Sequence, residues 1–67
     1  MTPIRIMALR LKELRKERGM SQVDLAERAS ISRTYLARLE TARQDPTLST
    51  LEKLAKALKV PVEKLLK

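Results

Sequence analysis

Residues 22–40 read Gln-Val-Asp-Leu-Ala-Glu-Arg-Ala-Ser-Ile-Ser-Arg-Thr-Tyr-Leu-Ala-Arg-Leu-Glu, and that order leaves the chain few ways to fold. Leu25, Ala26 and Ala29 gather on one side of a short helix, and Leu36 and Leu39 do the same for a second. Ser30 to Ser32 leave room only for a tight turn between them. The second helix opens on polar and basic residues. Such a unit clamps one helix against another and can push the second helix's N-terminal end into a DNA groove.

The flanking sequence is helical in character as well. It has one Gly and three Pro, is rich in Leu, Ala, Lys, Arg and Glu, and shows no alternating stretch long enough for a strand. An all-α domain is predicted. Residues 1–5 read as a flexible arm with Pro3 near its middle, followed by a helix over residues 6–18. Met7, Leu11 and Leu14 make that helix's inward stripe, and Gly19 ends it. Ser21 is a good N-cap for the next helix, although Asp24 is shorter than the Glu or Gln of a full capping box. Ser32 caps the third helix, and residues 41–45 form a polar connection closed by Pro46. A fourth helix starts near Thr47 or Leu48 and buries Leu51, Leu54, Ala55 and Leu58. Pro61 suits the first position of a last short helix. The 67 residues make a single domain (residues 1–67), of a size that buries only about 60% of its unfolded surface.

Fifteen Lys and Arg against eight Asp and Glu give a net charge of +7. The excess is uneven: ten basic and five acidic groups fall in residues 1–43, five and three in residues 44–67. It is concentrated on the segment carrying the helix-turn-helix pattern, as a polyanion-binding face requires. With no Cys and no His, disulfides, the usual zinc sites and the common nucleophile–base pairs are unavailable. One Gly gives no phosphate-cradling loop. An enzyme is not expected, nor a metal or cofactor. No apolar run reaches the length of a signal peptide or a membrane span, so the expectation is a soluble cytoplasmic protein without membrane contact.

The residues that would carry DNA binding follow from their places on the third helix. Arg33 and Thr34 lie in its first turn, after the Ser32 cap, and Arg38 is one turn beyond Thr34. These four, Ser32, Arg33, Thr34 and Arg38, are expected to reach bases. Arg33 has the fork to bond guanine O6 and N7 together. Tyr35 is placed to touch a phosphate with its hydroxyl while its ring leans on the bundle. Gln22 opens the second helix, where a neutral amide and free N–H groups suit a phosphate. Val60, Val62, Leu65 and Leu66 are apolar residues in the last eight positions. They can cap the core, pair with a second copy across a two-fold axis, or do both.

The chain resembles the Cro/C1-type helix-turn-helix family, also called XRE-like. The resemblance rests on Leu-Arg-Lys-Glu-Arg-Gly at 14–19, Ser-Gln-x-x-Leu-Ala at 21–26 and Ile-Ser at 31–32. It continues with Leu-x-x-Leu-Glu at 36–40, Pro46 and Leu-x-x-Leu-Ala-x-Ala-Leu at 51–58. It spans residues 7–66 and implies a compact five-helix bundle of the lambda-repressor-like type. It also implies a transcriptional regulator that binds a pseudo-palindromic operator as a homodimer, with helix 3 in the major groove. Small stand-alone regulators such as restriction-modification controller proteins are similar.

The resemblance further implies that Gln22, and the loop carrying Thr41, Arg43 and Gln44, contact the DNA backbone. It also implies a structural ion pair between Arg15 and Glu40. Two departures stand out: Ser30 occupies a turn position usually held by Gly, and Thr41-Ala42 replaces the Gly often found after the helix 3 Glu. The alternative reading is an antitoxin, which would bind a toxin partner as well as its promoter.

Overall fold

A hydroxyl opens each of the first four helices, and a left-handed residue closes each one. The computed structural model describes residues 2–66. Its elements are α1 (Pro3–Glu17), α2 (Gln22–Arg28), α3 (Arg33–Glu40), α4 (Leu48–Leu58) and α5 (Glu63–Leu66). No strand occurs among the described residues. Thr2, Ser21, Ser32 and Thr47 are the N-caps, each with a side-chain oxygen accepting the backbone N–H three residues on.

The first cap corrects the reading of residues 1–5 as a flexible arm. Thr2 accepts from the Arg5 N–H, and Pro3 takes the first helical position, where its missing N–H is no loss and its fixed φ already suits a helix. Pro3 therefore starts α1 instead of breaking it. The rest of the predicted arm, Met1, lies outside the described residues. At α2 the short Asp24 does complete a capping box. Its carboxylate accepts from the Ser21 N–H at 3.1 Å while Ser21 Oγ accepts from the Asp24 N–H at 3.0 Å. These bonds, with the nearby Arg28 charge, hold the Asp24 carboxyl below its ordinary value.

The four C-terminal ends share one hydrogen-bond pattern. Met20, Ile31, Arg43 and Val60 each donate their N–H to a carbonyl five residues back, and the residue before each donates to one three back. This is the Schellman motif, which needs a left-handed residue. Gly19 supplies it once, at φ 66°, and Ser30, Ala42 and Lys59 supply it at 58°, 58° and 59°. The turn after α2 thus keeps the glycine-type geometry with a serine in it. Met20, Ile31 and Val60 then fold back onto the core as partly buried residues, the apolar contact that usually accompanies this motif.

Between these ends the apolar stripes meet. Leu11, Leu25, Leu36, Leu39, Leu54, Leu58 and Leu65 are fully buried. Leu14 packs against them from the edge. Ala8, outside the predicted stripe, is buried as well, one position beyond Met7 and one turn before Leu11. Helix α1 packs on α3 and α5, and α2 on α3 and α4. The result measures 27 × 22 × 21 Å.

A serine at positive φ carries strain of about 1–2 kcal/mol that glycine lacks, partly offset by about 0.5–1 kcal/mol of extra chain entropy lost by glycine on folding. Ser30→Gly is therefore expected to stabilise the domain by about 0.5–1 kcal/mol and raise its melting temperature by about 4 °C in a calorimetric scan.

Candidate nucleic-acid interface

Helix α3 buries Leu36, Leu39 and Glu40 and leaves Arg33, Thr34 and Arg38 exposed. The buried positions hold the helix to the bundle, so its exposed side has a fixed direction. Ser32 is also exposed; its Oγ accepts from the Tyr35 N–H at 3.0 Å, which leaves its hydroxyl proton available to an acceptor. Ser32, Arg33 and Thr34 therefore stand together at an uncovered helix end, with Arg38 one turn further along. Arg43 and Gln44 follow in the α3–α4 connection, both exposed.

Glu40, at the other end of α3, is tied directly to two other helices. Its Oε2 lies 2.7 Å from Arg15 Nε on α1, and Oε1 accepts from Arg15 Nη2 at 3.1 Å. Arg15 also donates through Nη1 to the Met20 carbonyl in the α1–α2 connection, at 2.8 Å. Gln22, the first residue of α2, donates its amide to Glu40 Oε1 at 3.2 Å. Arg15 is 9% and Glu40 8% exposed. The two-pronged geometry matches the guanidinium fork to the carboxylate. Among the described residues no buried side-chain polar atom lacks a partner.

Several expected contact residues turn out to be committed to the protein itself. The Thr41 hydroxyl is directed at the Ala37 and Arg38 carbonyls, at 3.1 and 3.2 Å. Its single proton is thus engaged, and a phosphate, which only accepts, finds no donor there. The Tyr35 hydroxyl points to Thr50 Oγ1 on α4 at 3.4 Å, and its ring packs against the core. Thr50 in turn bonds Thr47 Oγ1 at 2.9 Å. Gln22 has one amide donor on Glu40, and its helix end already carries the Asp24 carboxylate, which lowers the anion affinity that the helix dipole would otherwise give.

The expected dimer residues divide as well. Leu65 is fully buried in its own protomer and so cannot meet a partner. Val60 and Val62 are half-buried against the core. Leu66 is 51% exposed. No group of three or more Asp, Glu, His or Cys able to hold a metal lies among the described residues. No described helix is long and apolar enough to cross a membrane.

The Gln22–Glu40 bond was not foreseen. Eighteen residues separate its partners, and no local spacing announces it. The Tyr35–Thr50 contact is equally invisible in the sequence.

The helix-turn-helix family model HTH_3 matches residues 11–65. The immunity repressor protein of Bacillus phage phi105 is 55% identical over 53 residues, which is 79% of this chain and 37% of that protein. Control protein C.SmaI of Serratia marcescens is 43% identical over 61 residues, 91% of this chain and 73% of that protein. The crystal structure of the biofilm regulator SinR in complex with DNA superposes with a TM-score of 0.87 at 39% identity, covering 91% of this chain and 98% of that one. The restriction-modification controller protein C.AhdI from Aeromonas hydrophila gives a TM-score of 0.90 at 32% identity, covering 92% and 94%. The chain spans less than half the length of several curated relatives.

Removing one member of a buried ion pair strands the other charge, at about 3–5 kcal/mol. Glu40→Ala is thus expected to lose most of the stability of so small a domain, read as a collapse of the urea midpoint. Replacing Arg15 and Glu40 together by Met and Leu is expected to recover most of that loss.

Proposed function

The chain belongs to the helix-turn-helix (HTH_3) family, and from that membership we propose that it is a sequence-specific transcriptional regulator of double-stranded DNA. The observation that carries this reading is the uncovered end of α3, where Ser32, Arg33 and Thr34 are exposed on a rigidly held helix. Docked in a major groove, that end sets Arg33 against guanine O6 and N7, and Thr34 against a base edge or a thymine methyl. Arg38 follows the same groove. Arg43 and Gln44 supply contacts to the backbone that fix register without reading sequence. Gln22 joins them through whatever bonding capacity Glu40 leaves it, and Tyr35 by turning its hydroxyl proton from Thr50 to a phosphate oxygen. A cytoplasmic location is part of the proposal, in keeping with the lack of any described helix long and apolar enough to cross a membrane.

The protein acts as a homodimer. Leu66, with the outer edges of Val60 and Val62, forms the apolar contact at the two-fold axis. Two α3 helices then enter successive major grooves about 34 Å apart, and the operator is pseudo-palindromic.

Selection from a random duplex library is expected to return such a palindrome. Arg33→Ala should relax preference at a single base position in each half-site, losing about 1–3 kcal/mol of discrimination there. Arg43→Ala should weaken all duplexes alike and reduce the steepness of log K against log salt by about 0.9 for each phosphate contact removed. A library returning no consensus sinks the proposal.

Sedimentation equilibrium tests the assembly separately. A concentration-dependent dimer is expected, and Leu66→Glu should shift it to monomer. A wild-type chain that stays monomeric at high concentration, both free and on DNA, excludes the two-fold arrangement.

A further inference from the structure

A second basic surface lies where the C-terminal ends of α2 and α4 come together. A cleft of about 430 Å³ opens there, lined by Arg28, Ser30, Lys53, Lys56 and Lys59. Ala29 and Ala57 complete the lining, and their small side chains leave the space open. No carboxylate lines it. None of the four cations forms an ion pair among the described residues. The Arg28 charge is felt at Asp24 one turn back, but that carboxylate is bonded to Ser21.

Cations at helix C-termini also have a simpler use, which is to balance the helix dipoles. The magnitudes decide against that use alone. Each helix end presents about half a negative charge. Two ends together therefore neutralise about one of the four positive charges, and roughly three remain concentrated in one concavity. Lys53 and Lys56 are also three residues apart on α4, where like charges repel and weaken the helix, and Lys59 follows in its closing turn.

The backbone points to the same place. Of the three non-glycine residues in the left-handed region, Ser30 and Lys59 both line this cleft. Glycine would serve either turn with less strain. Strained residues cluster where a side chain is used. The Ser30 hydroxyl is exposed and has no partner among the described residues, so its proton is available to an oxyanion.

We propose that this cleft is a phosphate-binding site, separate from the exposed end of α3. Three lysine ammonium groups and a guanidinium surround the oxyanion, and Ser30 Oγ donates to one of its oxygens. Four cations around one concavity favour linked phosphates over a single one. Such groups come from free polyphosphate compounds or from the DNA backbone. Ser30 is only three residues before Arg33, at most about 11 Å along the chain, which makes backbone flanking an α3-bound groove one of the two sources to test. That second source alone rests on the DNA-binding reading.

The test uses the full chain and inorganic tripolyphosphate, followed by two-dimensional amide NMR at about 0.15 M salt, where charges further apart than about 8 Å are screened. Saturable shifts at Ser30, Ala57 and Lys59 are expected. The exposed pair Lys53→Ala/Lys56→Ala should weaken binding about tenfold with the amide spectrum otherwise preserved. The control pair Lys12→Ala/Lys16→Ala removes the same charge from α1 and should leave affinity nearly unchanged. Shifts that never saturate, or an equal loss from both pairs, overturn the proposal.

A second arm identifies the source by titrating salt against a selected duplex. If the cleft holds DNA backbone, Lys53→Ala/Lys56→Ala lowers the salt slope by about 1.8, for two phosphates. An unchanged slope assigns the site to free polyphosphates. If no duplex is bound at all, the DNA reading fails while the tripolyphosphate result still stands.

Discussion

The Arg15–Glu40 pair is the contact that ties α1, α2 and α3 to one another. Glu40 is the last residue of α3, Arg15 lies near the end of α1, and their bonds reach Met20 in the α1–α2 connection and Gln22 at the start of α2. Three helices are thereby referenced to one carboxylate. Desolvating two charges is expensive, and an apolar replacement of the same shape often matches or exceeds such a pair in stability. Its value here is directional. A leucine cluster tolerates small rotations of α3, whereas a two-pronged bond between a planar guanidinium and a carboxylate does not. The apolar core supplies the driving force for collapse, and the ion pair selects one angle.

Helix ends matter for the same reason. Isolated helices of seven, eight and eleven residues are too short to persist in water. Each is fixed at both ends, by a hydroxyl cap and by a Schellman turn, and after α2 and α4 the residue that follows the turn, Ile31 or Val60, returns to the core. Those turns use Ser30, Ala42 and Lys59 at positive φ. The strain is tolerable because two turn hydrogen bonds hold each geometry, joined at Ser30 and Lys59 by the returning apolar residue. The chain thus obtains sharp reversals with one glycine, and side chains remain at points where glycine would leave bare backbone.

What was legible in the sequence follows the range of the interactions. Helices α2, α3 and α4 could be read because leucine spacing and hydroxyl caps act within a few residues. The Ser30 turn could be located but not described, since whether a serine accepts positive φ is decided by the bonds around it. Pro3 was misread because the residue that interrupts a helix internally also starts one, and only the Thr2 cap distinguishes the two. Leu65 and Leu66 are adjacent and chemically identical, yet one is buried and the other exposed. That difference is set by how α5 packs on α1 and α4, which no local pattern contains. The Thr41 and Tyr35 hydroxyls looked free for the same reason: their acceptors are fixed only once the helices are in place.

The two ends of α3 therefore divide the work. Its C-terminal end is locked by Glu40, and its N-terminal end bears the residues free to meet another molecule. A bound ligand gains little from a helix that must first be ordered, because each side chain or segment fixed on binding subtracts from the net affinity. Here the ordering is done on folding, by bonds formed at the end away from the exposed residues. A change at Arg15 or Glu40 thus alters what Arg33 can reach without touching the surface itself. The distance from Glu40 to that surface is one short helix, short enough that a rotation at one end is delivered almost whole to the other.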